Sequence, residues 1–141
     1  MPPAEFVRLF SREMRAVAGD AIRIDCAGDL PQISLPLRPV EQAVGILVDN
    51  ALEASPDDMP VRLSILSRDG HIVFEVRDEG TGMAPDVARR AGEPFFTTKP
   101  PGEGMGLGLF LVRLVAEKLG GSLRLESELG KGTRAVLELP G

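Results

Sequence analysis

The sequence predicts an α+β fold with two layers, in which about three helices cover one face of a mostly antiparallel sheet of about five strands. Apolar residues recur at helical spacing in three long segments, and they alternate with polar residues in two later pairs of short segments. Such pairs, each joined by a turn, are typical of antiparallel hairpins. The chain has 141 residues, 43% of them apolar, which suits one domain with a single core.

The first half of the chain alternates helix and strand. Residues 4–17 carry apolar side chains at helical spacing and predict the first helix, and residues 22–26 (IRIDC) predict a short strand. Residues 37–54 have the most regular pattern, an apolar stripe that comprises Leu37, Val40, Val44, Leu47, Ala51 and Ala54. We expect this helix to end before Pro56, because the residue before a proline resists the helical conformation.

The second half consists of two hairpins with a helix between them. Apolar and polar residues alternate about a turn in residues 61–78 and again in residues 122–140. Between the hairpins, residues 84–92 predict a short helix, and the stretch 93–106 predicts a loop because it is rich in glycine and proline. The helix after this loop is expected to end at the glycine pair behind Lys118.

Composition and charge exclude several classes of protein. No run of about 18 apolar residues occurs, and the N-terminus lacks the pattern of a signal peptide. The net charge of −5 argues against non-specific nucleic-acid binding. The lone Cys26 suits a reducing cytosol, and in its predicted strand we expect a buried structural thiol. We expect a cytoplasmic domain without membrane or nucleic-acid contact, whose full-length protein is anchored, if at all, by other segments.

Two polar positions stand out in the predicted elements. Asn50 lies on the flank of the apolar stripe in the second helix, where its amide offers one oxygen and two donors. A solvated helix residue would have the same position. Asp78 ends a strand and precedes Gly80 and Gly82, which allow a close backbone approach to a ligand. An ordinary acidic turn would have the same composition.

A third candidate site is the glycine-rich stretch that contains Gly102, Gly104, Gly106 and Gly108 and leads into a helix. Free N–H groups and the helix dipole favour an anion at a helix N-terminus. Thr97, Thr98 and Lys99 precede the glycines and could contact a phosphate. A flexible surface loop is the alternative interpretation.

The motifs occur in a recognisable order: D-N-A in a helix, D-x-G-x-G after a strand, E-P-F-F, G-x-G-x-G before a helix, and G-x-G-T in a hairpin. In this order the chain resembles the ATP-binding catalytic domain of bacterial sensor histidine kinases. That domain belongs to the superfamily of gyrase, Hsp90 and MutL ATPases, which share the Bergerat fold. The resemblance covers residues 41–133. The stretches NALEAS and GEPFFTTK are similar to the Reg-type redox-responsive kinases.

The resemblance implies ATP and Mg²⁺ as ligands and a role for each matching residue. Asp78 would accept a hydrogen bond from the adenine amine, Thr133 would join through a water, and Asn50 would ligate Mg²⁺. Residues 93–106 would form the ATP lid, and Lys99 would stabilise charge at the γ-phosphate. The catalytic candidates are Asn50 and Lys99. The nucleotide-binding candidates are Asn50, Glu53, Asp78, Gly80, Gly82, Met83, Phe95, Phe96, Thr97, Thr98, Gly104, Met105, Gly106, Leu107, Gly108 and Thr133.

The chain departs from the family pattern at two points. Ile46 lies one turn before Asn50, where hydrolysing relatives have a Glu that activates water and many histidine kinases have a second Asn. We therefore expect poor ATP hydrolysis, and the change also removes a possible contact to the nucleotide. The only histidine, His71, begins a predicted strand and lacks the H-E or H-D helix of a phosphoacceptor. The dimerisation, phosphoacceptor and sensor domains are thus expected outside residues 1–141.

The main prediction is therefore the ATP-binding half of a histidine kinase. Its partners would be a phosphoacceptor histidine domain and a response regulator. Two alternatives remain open, namely a serine-protein kinase of the anti-sigma-factor type and a non-catalytic nucleotide-binding module, which Ile46 suggests. The lid stretch is more similar to histidine kinases than to the serine kinases.

Overall fold

The computed structural model describes residues 1–27, 30–55, 59–82, 87, 90, 93 and 108–141. It contains, in chain order, helix α1 (Pro3–Ala18), strand β1 (Ile22–Cys26), helix α2 (Leu37–Ala54), strands β2 (Val61–Arg68) and β3 (His71–Asp78), helix α3 (Gly108–Lys118), and strands β4 (Ser122–Glu128) and β5 (Gly132–Pro140). A single 3₁₀ turn, Gly19–Ala21, joins α1 to β1.

The five strands form one sheet in the order β1-β2-β3-β5-β4. Strands β1 and β2 are parallel, because α2 connects them and returns the chain to the same end of the sheet. The other neighbouring pairs are antiparallel. Helices α1, α2 and α3 supply buried side chains to the core on one face of this sheet. The predicted α+β fold with a mixed, mostly antiparallel sheet is confirmed.

The core lies between the helices and the covered face of the sheet. From α1, Phe6, Phe10 and Met14 are fully buried, and the Phe10 ring lies 5.2 Å from the ring of Phe74 on β3. The buried residues of α2 follow the predicted stripe, and they are Val40, Ala43, Val44, Leu47, Val48 and Ala51. This packing fixes α2, and therefore Asn50, against the end of the sheet where β3 stops.

Helix α3 ends as the glycine pair predicts. Gly120 has φ +80°, a conformation that a side chain disfavours, and the Gly121 N–H donates to the Ala116 carbonyl at 2.7 Å. These contacts close the C-terminus of α3 and turn the chain directly into β4. The sequence therefore predicts this boundary from local chemistry alone.

The expectation of a buried Cys26 is wrong. Burial declines along β1, from the buried Ile22 through the half-buried Ile24 to the exposed Cys26. All three side chains are on the helix-covered face of the sheet, but β1 is an edge strand and its burial falls toward its C-terminal end. A strand pattern predicts which face a side chain takes, and it does not predict where the covering layer stops.

The short helix predicted at residues 84–92 lies largely outside the described residues. Val87 and Arg90, which are described, are both helical. The predicted lid, 93–106, is described at Glu93 alone, whose carboxylate lies 3.3 Å from Nε of Arg90. Among the helices of the described ranges, none is both long and apolar enough to cross a membrane.

Candidate functional site

Asp78, the last residue of β3, is a buried carboxylate on the helix-covered face of the sheet. It is 6% exposed and shares this face with Ile72 and Val76. The Gly80 N–H donates to its Oδ1 at 2.9 Å. Burial raises the pKa of Asp78, while the backbone N–H groups of Gly80 and Thr133 counteract part of that rise. An ionised carboxylate has about four acceptor positions, so Asp78 can accept a further donor.

Three glycines bring separate elements into close backbone contact around Asp78. A Cβ on Gly80 would lie 2.1 Å from the carbonyl oxygen of Ala54, at the end of α2. A Cβ on Gly82 would lie 2.0 Å from the last carbonyl oxygen of β4, and one on Gly132 would lie 2.2 Å from the Asp78 carbonyl oxygen. No side chain fits at these distances. The glycines therefore allow α2, β3 and the β4–β5 hairpin to meet at one point.

Thr133 lies beside Asp78 because the two residues are paired in the β3–β5 register. Its hydroxyl lies 2.8 Å from the hydroxyl of Ser127 on β4. The Gly130 N–H donates to the Thr81 carbonyl at 2.7 Å, which holds the β4–β5 turn against the loop after β3. The structure therefore brings together the D-x-G-x-G motif that begins at Asp78 and the G-x-G-T motif that ends at Thr133, although about fifty residues of sequence separate them.

Asn50, half-buried on α2, faces the first residue of α3. A Cβ on Gly108 would lie 3.9 Å from Asn50 Nδ2 and 3.1 Å from Ile46 Cγ2. The structure therefore confirms a helix after the glycine-rich stretch and places Gly108, its first described residue, beside Asn50. Ile46 borders the same point and packs against the hydrophobic core. Where the family pattern has a Glu or a second Asn, this chain therefore has a hydrocarbon side chain directly beside the start of α3.

The remaining predicted residues divide into two groups. Glu53 is exposed, one turn after Asn50 on α2. The other candidates lie outside the described residues, and they are Met83, Phe95, Phe96, Thr97, Thr98, Lys99, Gly104, Met105, Gly106 and Leu107. Their proposed roles stay predictions.

His71, the only histidine, lies at the opposite end of β3 from Asp78. Its Nδ1 lies 2.8 Å from Glu138 Oε2, and Arg68 Nη1 lies 3.8 Å from the other oxygen of the same carboxylate. These three side chains form a surface cluster at the tip of the β2–β3 hairpin. The cluster joins neighbouring strands and lies a full strand length from the candidate site.

Sequence reasoning missed two features of the site. Ser127, which contacts Thr133, was not a candidate, although hairpin pairing across the turn LGK would have placed the two hydroxyls opposite each other. The contact of Ile46 with Gly108 was also missed. It joins two helices that are distant in the sequence, and no local pattern predicts it.

The arrangement suits a ligand with two chemically different ends. A buried carboxylate can accept a hydrogen bond from an amine, and the helix N-terminus beside Asn50 favours an anion. An amide oxygen is an acceptable ligand for a hard cation such as Mg²⁺, which often keeps several waters. Within the described residues, no group of three or more His, Cys, Asp or Glu side chains is placed to hold a metal ion.

Comparisons with known proteins point in one direction. The family described as histidine kinase-, DNA gyrase B-, and HSP90-like ATPase matches residues 37–141. Sporulation kinase E of Bacillus subtilis is 36% identical over 120 residues, which cover 84% of this chain and 16% of that protein. Sensor kinase CckA of Brucella abortus is 36% identical over 134 residues, which cover 84% of this chain and 14% of that protein. The chain therefore spans about a sixth of these relatives' length or less.

Solved structures agree with this result. Full-length ShkA, crystallised in complex with AMPPNP, superposes with a TM-score of 0.81 at 29% identity, over 99% of this chain and 30% of that one. The mycobacterial sensor histidine kinase MprB superposes with a TM-score of 0.79 at 27% identity, over 100% of this chain and 97% of that one. The similarity to the Reg-type subgroup stays a prediction.

Proposed function

Because this chain belongs to the histidine kinase-, DNA gyrase B- and HSP90-like ATPase family, we propose that it binds ATP with Mg²⁺ and donates the γ-phosphate to a histidine on a separate dimerisation domain. A nitrogen of that histidine attacks the γ-phosphorus, and ADP leaves. The phosphoryl group then passes to a response regulator. The observation that carries the proposal is the buried Asp78 carboxylate, surrounded by closely packed glycine backbone that also contacts the end of α2, the helix that carries Asn50.

Asp78 is the proposed adenine-binding residue. When ionised, its carboxylate only accepts hydrogen bonds, and backbone N–H groups of Gly80 and Thr133 already fix its orientation. A hydrogen bond from the exocyclic amine of adenine would compensate the carboxylate for its lost hydration. The similarity to ShkA, whose structure holds the ATP analogue AMPPNP, supports the binding of an adenine nucleotide by this fold.

Asn50 and the start of α3 form the proposed phosphate end of the site. The amide oxygen of Asn50 would ligate Mg²⁺, and the ion would neutralise charge on the phosphates during transfer. The N–H groups at the start of α3 would bind phosphate oxygens, and Gly108 allows α3 to approach Ile46 and Asn50 closely. Lys99 remains the candidate for charge stabilisation at the γ-phosphate.

Ile46 favours transfer to a protein over hydrolysis. Its side chain occupies the point where α3 begins, and a hydrocarbon cannot take a proton from water. The γ-phosphate is therefore kept for an acceptor that the partner domain positions.

The exposed face of α3 is the proposed docking surface for the phosphoacceptor domain. Leu111 and Leu114 are 47% and 44% exposed and lie three residues apart on the helix whose N-terminus borders Asn50. Exposed apolar side chains next to a site are typical of an interaction surface. The proposed acceptor would thus bind where its histidine can reach the γ-phosphate.

Calorimetric titration with ADP and ATP, with and without Mg²⁺, tests the proposal. We expect magnesium-dependent binding by the chain, a loss of affinity of about a hundredfold or more in Asp78→Asn, and loss of the magnesium dependence in Asn50→Ala. Asp25→Asn, an exposed residue of β1, is the matched control and should bind as the unchanged chain does. A folded chain that binds neither ADP nor ATP would contradict the proposal, because the fold would then be present without nucleotide binding.

The same samples address the acceptor. Incubated with ATP that is radiolabelled on the γ-phosphate, the chain alone should stay unlabelled, because His71 lies in the hairpin-tip cluster with Glu138. Label that disappears in His71→Gln would instead identify an internal acceptor and contradict the proposal.

A further inference from the structure

Ser55 follows the last residue of α2 and carries a buried hydroxyl that has no function in the fold described so far. Its backbone N–H donates to the Ala51 carbonyl at 3.0 Å, so the backbone alone closes this end of the helix. The Ser55 Oγ is buried and has no hydrogen-bond partner among the residues that the structure describes. A buried hydroxyl without a partner is destabilising, so an unpaired one requires an explanation.

The position of Ser55 suggests that explanation. The carbonyl group of Ala54, which is bonded to the Ser55 nitrogen, lies against Gly80: a Cβ on Gly80 would be 2.1 Å from its oxygen and 2.6 Å from its carbon. Gly80 in turn donates its N–H to the Asp78 carboxylate. Ser55 is therefore adjacent to the backbone group on which the loop after β3 rests.

We propose that Ser55 is a further nucleotide-binding residue, whose hydroxyl gains its hydrogen bond when the adenine base orders a water molecule beside it. The inference rests on the ATP-binding function proposed above and extends it. A hydroxyl can donate and accept at once, and a buried water typically makes two to four hydrogen bonds. Ser55, the Asp78 carboxylate and a ring nitrogen of adenine supply partners of the required kinds. The unpaired hydroxyl is then a cost of the free protein that nucleotide binding removes.

Two properties measured together test this role, namely the ADP affinity and the melting temperature without nucleotide. In Ser55→Ala we expect an unchanged or higher melting temperature, because the unpaired hydroxyl is gone, and an ADP affinity about five- to tenfold weaker. The ratio of affinities with and without Mg²⁺ should not change, since Ser55 acts at the base. Ser55→Thr restores the hydroxyl on an extended backbone that accepts a branched residue, and it should bind ADP as the unchanged chain does.

The control variant is Ser122→Ala, which removes an exposed hydroxyl at the start of β4 and should change neither property. Unchanged ADP affinity in Ser55→Ala would overturn the inference. So would a lower melting temperature of Ser55→Ala without nucleotide, because the hydroxyl would then have a structural partner in the free protein. If the unchanged chain itself binds no ADP, the proposed function fails first. If that chain binds and Ser55→Ala binds equally well, the role of Ser55 alone is wrong.

Discussion

At the scale of single residues, the site combines groups that are costly in the free protein. Asp78 holds a carboxylate in a buried position, and the Ser55 hydroxyl is buried without a partner in the described structure. Each is a group that a ligand with a hydrogen-bond donor or a bound water would satisfy. Binding sites commonly retain such destabilising residues because stability and function trade against each other.

Asp78→Asn should separate the stability of the fold from nucleotide binding. Burial raises the pKa of Asp78, so the folded state favours the protonated carboxyl. The resulting stabilisation is fully present below the pKa that Asp78 has in the unfolded chain. It is lost as the pH rises through the higher pKa that Asp78 has in the folded protein. Near neutral pH the substitution removes a buried charge, and we expect the melting temperature to rise by about 2 °C or more. The difference should shrink as the pH falls through the raised pKa of Asp78.

Differential scanning fluorimetry between about pH 4 and pH 8 measures this effect, with exposed Asp25→Asn as the control. A substitution that lowers the melting temperature equally at every pH would show that hydrogen bonds from Gly80 and Thr133 outweigh the cost of burial.

At the scale of elements, an ion-pair cluster on the open face of the sheet joins β3, β5 and β4. Arg134 Nη2 donates to Glu75 Oε2 at 3.0 Å and Nη1 donates to Glu126 at 2.6 Å. Its Nε lies 2.9 Å from the other Glu75 oxygen, within ion-pair distance but not aligned for a hydrogen bond. Val73 and Val136 are buried on this same face, because long charged side chains cover them.

Arg134→Gln should lower the free energy of unfolding by about 1–2 kcal/mol at neutral pH, chiefly through the loss of its contact with the poorly exposed Glu75. The hydrogen bond from Arg134 lowers the pKa of Glu75. The contribution is therefore present above the unfolded pKa of a glutamate and is lost as the pH falls through the lower folded value.

Urea unfolding at neutral and acid pH checks this expectation. Arg124→Gln on β4 is the matched control, since the described structure shows no ion pair for Arg124 and its side chain is exposed. An equal decrease in the free energy of unfolding of the two variants would mean that Arg134 acts only through its positive charge. Its contacts with Glu75 and Glu126 would then add nothing.

The helices and strands were largely predictable from the sequence, but the order of the strands in the sheet was not. Helix α2 has the predicted limits because one apolar stripe, ended by Pro56, specifies it locally. The insertion of β5 between β3 and β4 depends on contacts between distant residues, and alternation carries no information about it. The motif order predicts Asp78 and Asn50 as site residues from the sequence. The unpaired hydroxyl of Ser55 and the contact of Ile46 with Gly108, by contrast, depend on the folded chain.

At the scale of the whole molecule, the hydrophobic core extends beyond the part of the chain that the family match covers. The match begins at residue 37 and leaves out α1 and β1. Yet Phe6, Phe10 and Met14 of α1 are fully buried, and the rings of Phe6 and Phe10 lie 6.4 Å and 5.2 Å from the ring of Phe74. These side chains fill the core against β3, the strand that ends in Asp78. We therefore expect residues 1–141 to fold as a single domain.

A shortened chain of residues 37–141 should fail to unfold cooperatively in urea and should bind no ADP. Phe10→Ala in the full chain should cost about 3–5 kcal/mol, a large share of a typical stability of about 5–15 kcal/mol. Loss of the whole helix would therefore exceed what the domain can tolerate. Val17→Ala, at a position of α1 that is 46% exposed, should change the stability by about 0.5 kcal/mol or less. A shortened chain that unfolds at the urea midpoint of the full chain would instead show that α1 does not stabilise the domain. The contacts of Phe6 and Phe10 with Phe74 would then contribute nothing to the position of β3 and Asp78.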